Sequence, residues 1–237
     1  DEVLNVFGIA TENNIVYNLE EYKNLISFPS PNQVSIIDAI PYEVENSFIG
    51  VIGQGNASQR INSNWEGTLT HFEGTHGYWA LINEPVEFSF NIDESRSSNI
   101  YYNNDYGTIP DQFDYNISKK QAFYFIDSIT IDNKPIELNQ ILLTFCNDQV
   151  VGSRIWNGNI IDQPAMGNDG TGKTIGYCNE NQIPEFKLYN ENEDILINLD
   201  SQSIPNWNNN TIFNINLFEG INHYLNPKGF SIEKPYP

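Results

Sequence analysis

A train of short apolar segments, set apart by Gly, Pro, Asn and Asp, limits this chain more than any other feature. Residues 4–9, 25–28, 48–52, 78–82, 86–90, 123–131, 141–145, 150–156, 185–189, 195–199 and 212–218 are each of strand length, alternating or continuously apolar. No segment holds a helical stripe beyond a turn or two, and only 34–40 reads as one short helix. Evenly spaced short strands predict β-sandwiches or barrels. Composition agrees. Asn occurs 35 times, which suits turns and left-handed backbone, while Ala, the best helix former, is scarce. An AT-rich genome would also enrich Asn and Ile, so codon drift contributes to the same signal.

The pattern breaks over residues 92–116, where Asp93-Glu94-Ser95-Arg96-Ser97-Ser98-Asn99 is followed by Asn103-Asn104-Asp105. This places a linker at about 95–115, between an N-terminal β module over 1–95 and a C-terminal β module over 96–237. No internal repeat relates them. The expected fold is therefore all-β, with two different antiparallel β-sandwich or barrel-like modules in tandem.

Charge and hydropathy exclude several classes. The chain has 237 residues, enough for a buried core. Its 39% hydrophobic and 13% aromatic content rules out a disordered acidic tail. No apolar run is long enough to insert in a membrane as a helix. With 31 acidic against 11 basic residues the net charge is −20, which repels nucleic acid and anionic membrane surfaces. The chain opens on Asp1 without a cationic leader, as a mature, trimmed product would. Its two cysteines, Cys146 and Cys178, form either one disulfide or two buried thiols. The lack of a Cys-x-x-Cys pair argues against a structural zinc site.

Several stretches carry a resemblance. Asn24-Leu25-Ile26-Ser27-Phe28-Pro29, Gly50-Val51-Ile52-Gly53-Gln54-Gly55, Trp65-Glu66-Gly67-Thr68-Leu69 and Gly77-Tyr78-Trp79 resemble a module of large secreted and cell-surface proteins of marine bacteria. A second module that often follows it is similar to Gln121-Ala122-Phe123-Tyr124-Phe125, Val151-Gly152-Ser153-Arg154-Ile155-Trp156, Pro164-Ala165-Met166-Gly167-Asn168-Asp169-Gly170 and Ile183-Pro184-Glu185-Phe186-Lys187-Leu188-Tyr189. Pro235-Tyr236-Pro237 resembles the opening of the sorting domain of type IX secretion substrates. The resemblance implies a secreted, surface-attached β protein and carries no catalytic residue. The second module often has extra cysteines after its Trp; here Asn157-Gly158-Asn159-Ile160-Ile161 stands in that loop.

The motifs that could carry chemistry are few. Gly167 to Thr174 satisfies the phosphate-loop pattern, but Asp162-Gln163-Pro164-Ala165-Met166 before it is not a buried parallel strand and no helix follows, so a surface turn without nucleotide is expected. His71, Glu73 and His76 form a zinc-like cluster only if a turn gathers them; a polar turn is the simpler reading. Carboxylate pairs such as Glu20/Glu21 and Glu191/Glu193 belong to an acidic surface unless a cleft fixes their separation. Calcium is the better metal candidate, through Asp148, Asp162, Asn168 and Asp169, oxygen donors beside glycines. Trp65, Trp156 and Trp207 are the candidate ligand-stacking aromatics, Trp65 and Trp207 expected to be exposed among Asn neighbours, whereas Trp79 is expected in the core.

These readings converge on a non-enzymatic, extracellular structural or adhesive protein whose partners are other surface proteins or polysaccharide. A carbohydrate-binding module pair of a secreted hydrolase, and a viral or phage fibre or decoration protein, are the alternatives.

Overall fold

The computed structural model describes residues 14–92, 108–191 and 193–221. The expected strand at 4–9 and most of the expected linker at 95–115 lie outside these residues. What is described is nearly all β.

The first half contains β1 (Tyr17–Leu19), β2 (Tyr22–Ser27), β3 (Val34–Ser35), β4 (Phe48–Ile52), β5 (Ala57–Ile61), β6 (Asn64–Gly67), β7 (His71–Phe72), β8 (Gly77–Ile82) and β9 (Val86–Phe88). An antiparallel sheet runs β2-β8-β4-β5-β6, and β1–β9 and β3–β7 form two small pairs. The expected short helix is α1 (Ile36–Ala39), begun by the Ser35 hydroxyl accepting from the Asp38 amide. One face of this half is closed by aromatics: Phe28, Phe72 and Phe90 meet with ring centroids 5.0–5.4 Å apart.

The second half contains β10 (Gln121–Ile131), β11 (Lys134–Pro135), β12 (Ile141–Cys146), β13 (Gln149–Ile155), β14 (Ile161–Met166), β15 (Glu185–Asn190), β16 (Ile195–Asp200) and β17 (Thr211–Gly220). They form one eight-stranded sheet, β11-β10-β17-β16-β15-β12-β13, with β14 also on β10. All its pairings are antiparallel except β10 with β17, which is parallel. The sheet curls into a half-barrel whose end strands β13 and β14 meet again. Gly152 permits that approach, since a Cβ there would overlap the Pro164 carbonyl oxygen. Pro164, which can donate no ladder hydrogen bond, sits on β14, a strand at the end of the sheet.

The abundant Asn and Asp set the hairpins. Asn62-Ser63, Asp132-Asn133 and Asn147-Asp148 are two-residue loops with φ between 48° and 68° at every position. Left-handed backbone at both loop residues matches strand twist, and Asn and Asp tolerate it best after Gly.

One local reading changes. Residues 162–166 are a buried strand, though antiparallel to β10. The amide and carboxylate in Asp162-Gln163 masked an apolar pattern, because both side chains find partners inside. The sequence after it forms a surface turn ending in a three-residue 3-10 segment, Gly172–Thr174, rather than a helix. The two halves also share one core. Ile52, Ala57 and Leu81 belong to the same buried cluster as Phe123, Phe125 and Met166.

Candidate functional site

Where the halves meet, β14 brings a carboxylate inside. The Asp162 side chain is wholly buried. It accepts from the Ala57 amide at 3.0 Å, the Thr68 amide at 3.1 Å and the Thr68 hydroxyl at 2.6 Å. The Arg154 guanidinium, on neighbouring β13, lies 3.5 Å from it and donates to the Gly55 carbonyl at 2.8 Å. Burial alone would lower the guanidinium's pKa; the Asp162 charge and the Tyr115 hydroxyl beside it more than offset this, holding it above the ordinary value. Gln121 completes the seam, accepting from the Gly55 amide and donating to the Gly53 carbonyl. The charged and amide groups of the second half thus satisfy backbone groups of the first.

A second internal pair lies in the first half. Glu45 is 5% exposed and accepts from Arg60 at 2.6 Å and from the Trp65 indole at 3.1 Å. Arg60 also lies over the Trp65 ring. Trp65 is therefore half-buried and held, rather than a free platform.

The other aromatic candidates are core. Trp207 is fully buried and its indole donates to the Ala165 carbonyl at 2.8 Å, which corrects the expectation of an exposed ring. Its immediate neighbours on the two sides, Asn206 and Asn208, are exposed, while the ring turns inward. Trp156 is 6% exposed and packs in the same cluster. Trp79, expected in the core, is half-buried and packs against it.

The four calcium candidates do not converge. Asp162 is committed to the seam. Asp169 lies seven residues on, past the far end of β14, where its carboxylate accepts from the Thr171 amide, the Thr171 and Thr174 hydroxyls and the Lys119 amide. The two hydroxyls and then the amides hold its pKa far below the usual carboxylate range. Asn168 accepts from the Gly170 amide. The amides that a phosphate would need are thus turned on the loop's own side chains. Asp148 sits in the β12–β13 hairpin. Among the described residues no three His, Cys, Asp or Glu gather as a metal would require. His71 and His76 engage Thr70 and the Gly74 carbonyl separately.

Cys146 and Cys178 are bonded, with Cα atoms 5.2 Å apart. Cys146 ends β12, while Cys178 meets Gly167 in an isolated bridge, so the disulfide ties the glycine-rich turn to the sheet.

Sequence reasoning missed the seam. Its signal was an Arg, one of only 11 basic residues, inside an apolar strand and a carboxylate inside another. Charges in such positions need internal partners. No protein-family model matches the chain, and neither a curated protein nor a solved structure matches it significantly.

Proposed function

We propose that the protein is an extracellular, non-enzymatic structural or adhesive surface protein built from two β modules. The Cys146–Cys178 disulfide carries this reading, because such bonds form and persist in oxidising compartments. Two further features support it. The internal charged groups, Asp162 with Arg154 and Glu45 with Arg60, are committed to partners within the fold, leaving them unsuited to acid–base work. The acidic surface keeps the chain soluble and repels like-charged polymers. Neighbouring surface proteins or polysaccharide are the partners this reading implies.

Brief proteolysis of intact producer cells, and of their medium, tests it. Peptides of this chain should be released without lysis, with Cys146 and Cys178 found as one linked pair by mass spectrometry before reduction. Peptides that appear only after lysis, with both thiols open to alkylation, would refute it.

A further inference from the structure

A groove of about 430 Å³ opens where β5 of the first half faces β10 and β17 of the second. Asn214 stands opposite Phe125 in the parallel ladder, and Asp127 and Asn216 follow two residues along each strand. They line one wall. The other wall is β5. Gln59 pairs with Gly50, and a Cβ on Gly50 would meet the Ile212 side chain of β17. This face of β5 therefore looks at β17, and Gln59 and Ile61 share it.

Gln59 is 6% exposed, and its Oε1 has no hydrogen-bond partner in the protein. A buried acceptor wants a donor, and of the four unpaired buried amide oxygens among the described residues, on Gln59, Gln140, Gln163 and Asn210, that of Gln59 belongs to a residue lining this groove. Asn214, Asn216 and Asp127 are exposed around it.

We propose that this groove binds a neutral saccharide of one or two rings. Amide side chains donate and accept at once, as sugar hydroxyls do. A hydroxyl that donates to Gln59 Oε1 satisfies the unpaired acceptor, and the Asp127 carboxylate accepts from others. Ile61 and Ile160, both half-buried at the groove, supply apolar surface for the C–H faces of a ring. The volume falls within the range of small-molecule sites. An anionic sugar is disfavoured: the chain carries −20, and Arg60 at the rim is already held by Glu45 and the Ser63 carbonyl. The proposal gives the adhesive reading its ligand class and rests on that reading only for the source of the sugar.

The test uses the purified, oxidised full chain. Saturation-transfer NMR and amide-shift titrations are run against glucose, galactose, mannose, xylose, cellobiose, maltose and lactose, with glucuronate as the anionic control. At least one neutral sugar should bind saturably at millimolar concentration. Asn214→Ala and Asp127→Ala should each weaken it about tenfold with an unchanged melting temperature, since both side chains are exposed. Gln59→Leu should abolish it. No saturable binding by any neutral sugar up to about 50 mM, equal binding by the variants, or tighter binding of glucuronate than of every neutral sugar would overturn the proposal. The binding assay reads the groove alone, whereas proteolysis of intact cells reads the location, so either idea can fail without the other.

Discussion

Replacing Asp162 with Ala removes the one buried carboxylate among the described residues that touches both halves. The change leaves Arg154, 16% exposed, without its counter-charge, and leaves the amide of the fully buried Ala57 without an acceptor. Breaking one side of a buried pair costs about 3–5 kcal/mol. An orphaned dry amide adds about 1–3 kcal/mol. The Thr68 amide adds less, because Thr68 is exposed and water can replace the carboxylate there. These terms overlap, so a loss of about 4–6 kcal/mol is expected, out of a total near 5–15 kcal/mol. Urea unfolding followed by both far-UV circular dichroism and Trp fluorescence measures it. With a urea slope of about 2 kcal/mol/M, the midpoint should fall by about 2–3 M. The Arg154→Met, Asp162→Leu double variant should recover a large part of the loss, since no charge is then stranded. A loss under about 1 kcal/mol for Asp162→Ala, or a double variant as unstable as the sum of the singles, would refute the account.

Three further outcomes are expected. Changing Cys146 and Cys178 together to Ala should lower stability by about 3–4 kcal/mol, the loop-closure value for a separation of 32 residues, and dithiothreitol should affect the native protein but not the variant in thermal melts. Asp169 has a depressed folded-state pKa, so its contribution is complete above the ordinary value of 3.8 and fades as the pH falls below it; the melting difference between native protein and Asp169→Ala should be constant from pH 5 to 8 and shrink below pH 4. Asp148→Gly should raise stability by about 0.5–1 kcal/mol in urea titrations, because Gly enters the left-handed second position of the hairpin loop without strain.

Strand positions were largely legible because apolar periodicity and Asn-rich turns are local signals. The expected segment at 195–199, for example, is β16 to within a residue. β14 was hidden because its Asp and Gln bond to groups distant in sequence: Thr68 is 94 residues from Asp162, and Thr144, which accepts from the Gln163 Nε2, is 19 away. The same distance hid the seam and the groove. Trp207 shows the limit from the other direction, since its neighbours' polarity describes their own exposure and not where its ring points. The cysteine pairing was open in the sequence because Cys178 lies outside any strand, so no ladder register announced its neighbour.

The parallel ladder between β10 and β17 has a consequence for how the chain acquires its shape. Residues joined there are roughly ninety positions apart, and loop closure over such a span slows folding. Until β17 arrives, β10 presents a bare edge of eleven residues whose first six are buried in the finished fold. A chain emerging from its N-terminus can complete the five-stranded sheet early, but the larger core must wait for the last described strand. Loss of residues 211–220 would therefore leave an aggregation-prone edge rather than a smaller folded protein, and a chaperone acting before completion would find its target on β10.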